Sequence, residues 1–73
     1  MANNMEFKLE GEEFIPLQAL LKITGLCDTG GEAKVAITEG LVKVDGQVEI
    51  QRGKKIKAGQ VVSFGGKDIN VVE

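Results

Sequence analysis

Two spacings of hydrophobic residues divide the chain. Up to Gly40, Leu17, Leu20 and Leu21 and then Ala33, Ala36 and Ile37 recur at intervals of three and four. Beyond it, Val42, Val44, Val48 and Ile50 alternate with polar residues. At roughly 100° per residue the first spacing gathers one face of a helix, whereas the second separates the two faces of a strand. The order predicts an α+β domain with two short helices followed by a small sheet.

The first helix is expected to start at Pro16, because the missing proline N–H would be unpaired at the first helical position anyway. Gly25 ends it. Its leucines share one face while Gln18 and Lys22 point away. A second helix begins at Thr29, whose hydroxyl can accept from a free N–H, with Glu32 reaching back to complete a capping box. Gly40 stops this one. The small Ala33 and Ala36 permit close approach to the leucine helix. Gly31, Lys34 and Thr38 fall on one flank and Glu32 and Glu39 on the other, so the second helix is electrically two-sided.

Phe7-Lys8-Leu9 fits a short edge strand, broken by Gly11-Glu12-Glu13. Asp45-Gly46 marks a hairpin turn. A two-residue loop would set Val44 opposite Gln47 and Val42 opposite Glu49, mixing valines with polar residues. A three-residue loop, with Gly46 left-handed in a bulge, gathers Val42, Val48 and Ile50 on one face, and this bulged form is the expected one. Gln51 to Gly59 has loop composition around Ile56. Val61, Val62 and Phe64, the turn Gly65-Gly66, and Ile69, Val71 and Val72 make a second hairpin. The expected organisation is an acidic N-terminal segment with a short strand over 1–14 and one folded domain over 15–73 that includes this hairpin.

A chain of 73 residues has room for one modest core. Its 42% hydrophobic and 27% charged residues exclude disorder along the whole length. No apolar stretch approaches the ~18 residues that span a bilayer, and Met1-Ala2-Asn3-Asn4 has neither a basic nor an apolar signal region, so a cytoplasmic protein without membrane contact is expected. The single cysteine, Cys27, and the absence of histidine leave no disulfide framework, zinc set or Cys/His nucleophile pair. Cys27 is expected to be a buried structural thiol. The carboxylates sit near turns and helix ends, where they serve as caps and solvating charge. No catalytic residue, metal or cofactor is expected.

The formal net charge of −2 conceals a segregated distribution. Residues 1–13 carry Glu6, Glu10, Glu12 and Glu13 against Lys8, whereas residues 50–67 carry Arg52, Lys54, Lys55, Lys57 and Lys67 with no acid. The run from Arg52 to Lys57 suits phosphate, with an arginine fork, lysine point charges and Gly53 for close backbone approach. On charge alone a solvated loop explains it better. The helix start at Thr29, Gly30, Gly31 and Lys34 offers free N–H groups and one cation to an anion. An ordinary capped helix explains that start equally well, and it lacks the spacing of a nucleotide-binding P-loop. Lys22 reads as a solvating side chain. With no tyrosine or tryptophan, and with Phe14 and Phe64 expected in the core, a base-stacking platform is unfavoured, so any nucleic acid would be read by phosphate and shape.

Taken in order, these segments resemble the RNA-binding domain of ribosomal protein S-four, also found in pseudouridine synthases and a bacterial tyrosyl-tRNA synthetase. The likeness runs from Leu17-Leu20-Leu21 and Gly25 through Thr29-Gly30-Gly31-Glu32-Ala33-Lys34 and Ile37 to Gly40-Leu41-Val42-Lys43-Val44-Asp45-Gly46. It continues through Arg52, Lys54-Lys55-Ile56, Gly59 and Val61-Val62. Within the family the chain is most similar to the stand-alone bacterial YbcJ-like members. The resemblance implies two short helices packed on a small curved antiparallel sheet, the alpha-L RNA-binding motif. It also implies non-catalytic binding of structured RNA, ribosomal or transfer RNA, in a ribosome-associated role in translation, with ribosome-assembly proteins as further partners. Carried over by position, Thr29, Gly30, Gly31, Lys34, Arg52, Lys54, Lys55 and Lys57 would form the RNA surface. The wider family often has arginine at the positions of Gly30 and Lys34, so this chain lacks a guanidinium fork at each. The alternative is a protein-interaction adaptor that uses the same basic patch. A β-grasp sulfur carrier is disfavoured, because the chain ends Asn70-Val71-Val72-Glu73 rather than in Gly-Gly.

Overall fold

The computed structural model describes residues 3–73. Strands β1 (Asn3–Lys8) and β2 (Ile15–Pro16) precede helices α1 (Leu17–Ile23) and α2 (Gly30–Thr38). Strands β3 (Val42–Val44), β4 (Gln47–Val48), β5 (Lys55–Ile56), β6 (Val61–Phe64) and β7 (Lys67–Val72) follow. The main sheet has the order β1-β7-β6-β3-β4, and β2 pairs with β5 in a separate two-stranded ladder. The architecture is the expected α+β one. A single buried cluster joins the helical Leu17, Leu20, Leu21, Ala33 and Ile37 to Val42, Val62, Ile69 and Val71 of the sheet.

Both helices form where the apolar spacing places them. Leu17, Leu20 and Leu21 are fully buried, each worth about 1.5–3 kcal/mol relative to exposure. Pro16 takes the capping position with extended φ and ψ, one place before the first helical residue. At the start of α2 the Thr29 hydroxyl accepts from the Glu32 N–H at 3.1 Å. Glu32 reaches back one residue further than a capping box requires, accepting from the Asp28 N–H at 2.8 Å. The helix ends in a Schellman turn, with Gly40 at φ +78° and N–H bonds from Gly40 to the Ile37 carbonyl and from Leu41 to the Ala36 carbonyl.

Two features of the sheet differ from expectation. The N-terminal strand begins at Asn3 and runs parallel to β7, in register from Asn3 opposite Lys67 to Lys8 opposite Val72. The acidic segment is therefore an integral edge of a sheet that is otherwise antiparallel. Met5 and Phe7 are half-buried against the core and Leu9 is buried in it, while Glu6 and Lys8 are exposed on the other face.

The hairpin after α2 has no bulge. Val44 pairs with Gln47 and Lys43 with Val48, and the Glu49 N–H donates to the Val42 carbonyl at 3.0 Å. The loop is the two residues Asp45 and Gly46, both left-handed at φ +52° and +84°, a geometry whose twist matches paired strands. Asp45 is held there by its side chain: Oδ1 accepts from the Val61 N–H at 3.0 Å and Oδ2 from Gln60 Nε2 at 3.3 Å. β4 has only two residues, both exposed, and Ile50 beyond it is also mostly exposed. With no buried face to satisfy, the apolar pattern of this strand does not set its register; the turn does.

Candidate nucleic-acid interface

The first turn of α1 has N–H groups without helical partners and no capping side chain. The basic segment supplies the missing acceptors from its backbone. The Leu17 N–H donates to the Lys54 carbonyl at 2.9 Å and the Gln18 N–H to the Arg52 carbonyl at 3.1 Å. Beside this junction Ile15 pairs with Ile56 and Pro16 with Lys55, and the two isoleucines are buried. What composition marks as a loop is thus partly a strand, strapped across the start of the first helix.

Gln18 makes a second link. Its Nε2 donates to the Gly30 carbonyl at 2.9 Å, tying α1 to the first residue of α2. An open groove of about 570 Å³ lies between these three elements, lined by Pro16, Gln18, Ala19, Lys22, Gly30, Arg52 and Gly53. Its charged lining is Lys22 and Arg52, and no carboxylate lines it. Such a concave, single-signed surface concentrates anions.

The structure brings some of the expected residues together and separates others. Gly30 and Arg52 line the same groove. Lys34 is exposed one turn along α2 on the flank of Gly30. Thr29 serves as the helix cap through its hydroxyl, and Gly31 lines a different depression, beside Glu32. Lys54 is half-buried and lines a small hollow with Asp45, Glu49 and Gln60. Lys55 holds its ammonium 5.1 Å from the centre of the Phe14 ring, a cation–π contact. Phe14 is half-buried there and lies outside the buried core cluster. Lys57 is exposed in a turn closed by its own N–H on Gln60 Oε1 at 2.8 Å. Lys22, read from sequence as merely solvating, lines the groove. The signal that would have found it is its position four residues after Gln18 on the outward face of α1.

Cys27 is buried three residues before the start of α2. Burial, with smaller contributions from Glu32 and Asp28, pushes its thiol up from the ordinary range. Among the described residues no group of three or more His, Cys, Asp or Glu side chains could hold a metal ion, and no helix is long and apolar enough to cross a membrane.

Two short helices bound to a mostly antiparallel sheet make the alpha-L arrangement. The chain belongs to the S4 domain family, which matches residues 7–72. It is 48% identical over 66 residues to YbcJ of Escherichia coli (strain K12), covering 90% of this chain and 94% of that protein. The solution structure of YbcJ from E. coli, described as revealing an alpha-L motif involved in RNA-binding, superposes with a TM-score of 0.76 at 46% identity. It covers 100% of this chain and 92% of that one. A tyrosine–tRNA ligase of Ralstonia nicotianae is 43% identical over 53 residues, which are 73% of this chain but 14% of that enzyme.

Proposed function

We propose that the protein binds structured RNA, ribosomal or transfer RNA, through the groove between α1, the start of α2 and the Arg52 segment, and performs no chemistry on it. The observation that carries this reading is the convergence of Lys22, Gly30 and Arg52 on one carboxylate-free concavity. Lys34 extends the same surface, and Lys55 and Lys57 stand farther along the basic segment. The groove is open rather than enclosed, which suits a ribose-phosphate backbone followed by shape. The alpha-L motif of YbcJ, described as involved in RNA-binding, supports the ligand class. The matched segment of a tyrosine–tRNA ligase supports transfer RNA as one target. A ribosome-associated role in translation accords with either target.

Fluorescence anisotropy with a transfer RNA and a ribosomal RNA hairpin over a range of salt concentrations tests this. With about four phosphates neutralised, log affinity falls with log salt at a slope of roughly −3, at ~0.7–0.9 per contact. Replacing Lys22 and Arg52 by glutamate abolishes binding while leaving the fold intact. A salt-independent affinity, or full affinity in that variant, overturns the reading.

A further inference from the structure

The flank of α2 that faces away from the basic groove carries a second depression, of opposite character. It has a volume of about 450 Å³, and its apolar walls include Leu26, Val35, Leu41 and Phe64. Val35 is 56% and Leu41 60% exposed. In a Schellman turn the residue after the glycine commonly packs on the last helical turn, which accounts for Leu41 lying near Ala36. It does not account for two large side chains left more than half in water, side by side, on a domain this small. Ile23, Val48 and Ile50 are as exposed but do not line this depression, whereas Val35 and Leu41 share it with Leu26 and Phe64. Apolar side chains gathered beside polar ones can form an interaction site.

The rim is acidic. Glu32 lines the depression, and the exposed Asp28 stands beside it, its N–H donating to the Glu32 carboxylate at 2.8 Å. Glu39 follows on the same flank of the helix. No cation lines it; Lys43 stands in the adjoining hollow that shares Leu41 and Phe64. RNA would be repelled here. A second copy of the chain, docking symmetrically, would set one acidic rim against another.

We propose that this groove is a docking site for a cationic, amphipathic segment of a partner protein, whose apolar side chains enter between Val35, Leu41 and Phe64 while its basic residues meet Glu32 and Asp28. The site lies on the opposite flank of α2 from the basic groove, so both can be filled at once, and the proposal does not depend on the RNA reading.

The probe is a short amphipathic peptide of leucine and lysine, titrated into the ¹⁵N-labelled protein, with a leucine–glutamate peptide of the same pattern as control. Expected are saturable amide shifts at Leu26, Val35, Leu41 and Phe64 with the cationic peptide only. Val35→Ser with Leu41→Ser weakens the affinity at least tenfold, and both positions are exposed enough for the remaining spectrum to stay unchanged. Glu32→Gln, which retains an acceptor for the Asp28 N–H, weakens it several-fold. The proposal is overturned if no saturable shifts occur, if both peptides act alike, or if the shifts centre on Lys22 and Arg52. It is equally overturned if these variants bind like the parent, or if the same amides shift with protein concentration alone.

Discussion

The carboxamide of Gln18 donates to the carbonyl of Gly30 at 2.9 Å, fastening the first turn of α1 to the first turn of α2. The same residue's backbone N–H holds Arg52, so one glutamine sets the width of the basic groove. Gln18→Ala is expected to cost about 1 kcal/mol, the usual worth of such a bond, measurable by urea unfolding. RNA affinity should fall because the walls of the groove lose their spacing, yet the salt slope should stay at the parent value, since no charge is removed.

Gly30 is under a related constraint. A Cβ there would sit 3.2 Å from Gln18 Nε2, close enough to press on the flexible end of that side chain. Gly30→Ala should therefore be near neutral, since at the first helical position the gain is smaller than the roughly 0.8–1 kcal/mol of a helix interior and is offset by the disturbed bond. In a Gln18→Ala background the same substitution should stabilise by that gain. A double-mutant cycle by thermal unfolding reads the difference, and strict additivity would show that the two residues are not coupled.

The cations of the basic segment should differ in importance. Arg52 lines the groove, whereas Lys54 faces a hollow that contains Asp45 and Glu49. Arg52→Ala is expected to reduce RNA affinity by about tenfold and to lower the salt slope by roughly one contact. Lys54→Ala should change the affinity less than about threefold, because its ammonium lies by two carboxylates away from the groove. Anisotropy titrations of both variants at two salt concentrations give the ranking.

Asp45 combines a left-handed backbone with two side-chain hydrogen bonds to the start of β6. Asp45→Ala removes the acceptors and leaves an unsuitable residue at positive φ, so a loss of about 1–2 kcal/mol is expected. Asp45→Asn keeps an acceptor and tolerates the backbone, and should lose less than half of that. Urea midpoints for the two variants test the order.

The Cys27 thiol titrates above its ordinary value because of burial first, then Glu32 and Asp28. Folding therefore favours the protonated form. This contribution is complete below the unfolded thiol's pKa and is lost as pH rises through the higher folded value. Alkylation by iodoacetamide near pH 8 should be slower in the native protein than in urea, since only the thiolate reacts and the native thiol is both raised and buried. Stability measured against pH should decline on the alkaline side, and Cys27→Ala should flatten that decline.

Local rules were legible from the residues, and distant pairings were not. Thr29 and Glu32 announce the start of α2 because capping is settled within four residues, and the leucine spacing of α1 has only one helical solution. The register of Val48 differs from the one periodicity predicts because periodicity presumes a buried face, and a two-residue edge strand has none. Met5, Phe7 and Leu9 do alternate, but nothing in that alternation reveals that their partner is β7. The candidate site divides the same way. The cations of residues 52–57 are visible as a run, yet their directions depend on two carbonyls turned toward α1, an event governed by unpaired amides in another element. Lys22 carries little signal in the sequence because a lone lysine on a helix acquires meaning only when another segment is laid across from it.

The parallel pairing of β1 with β7 also orders events during synthesis. Residues 3–8 leave the ribosome before their hydrogen-bonding partner has been translated, so this strand emerges with nothing to pair with. The sheet closes only when residues 67–72 slide between β1 and β6, the kind of late, long-range step that slows folding. A ribosome stalled after Gly66 would therefore display a nascent chain with its leading strand unclaimed, a state that protease digestion of the stalled complex would register at Lys8.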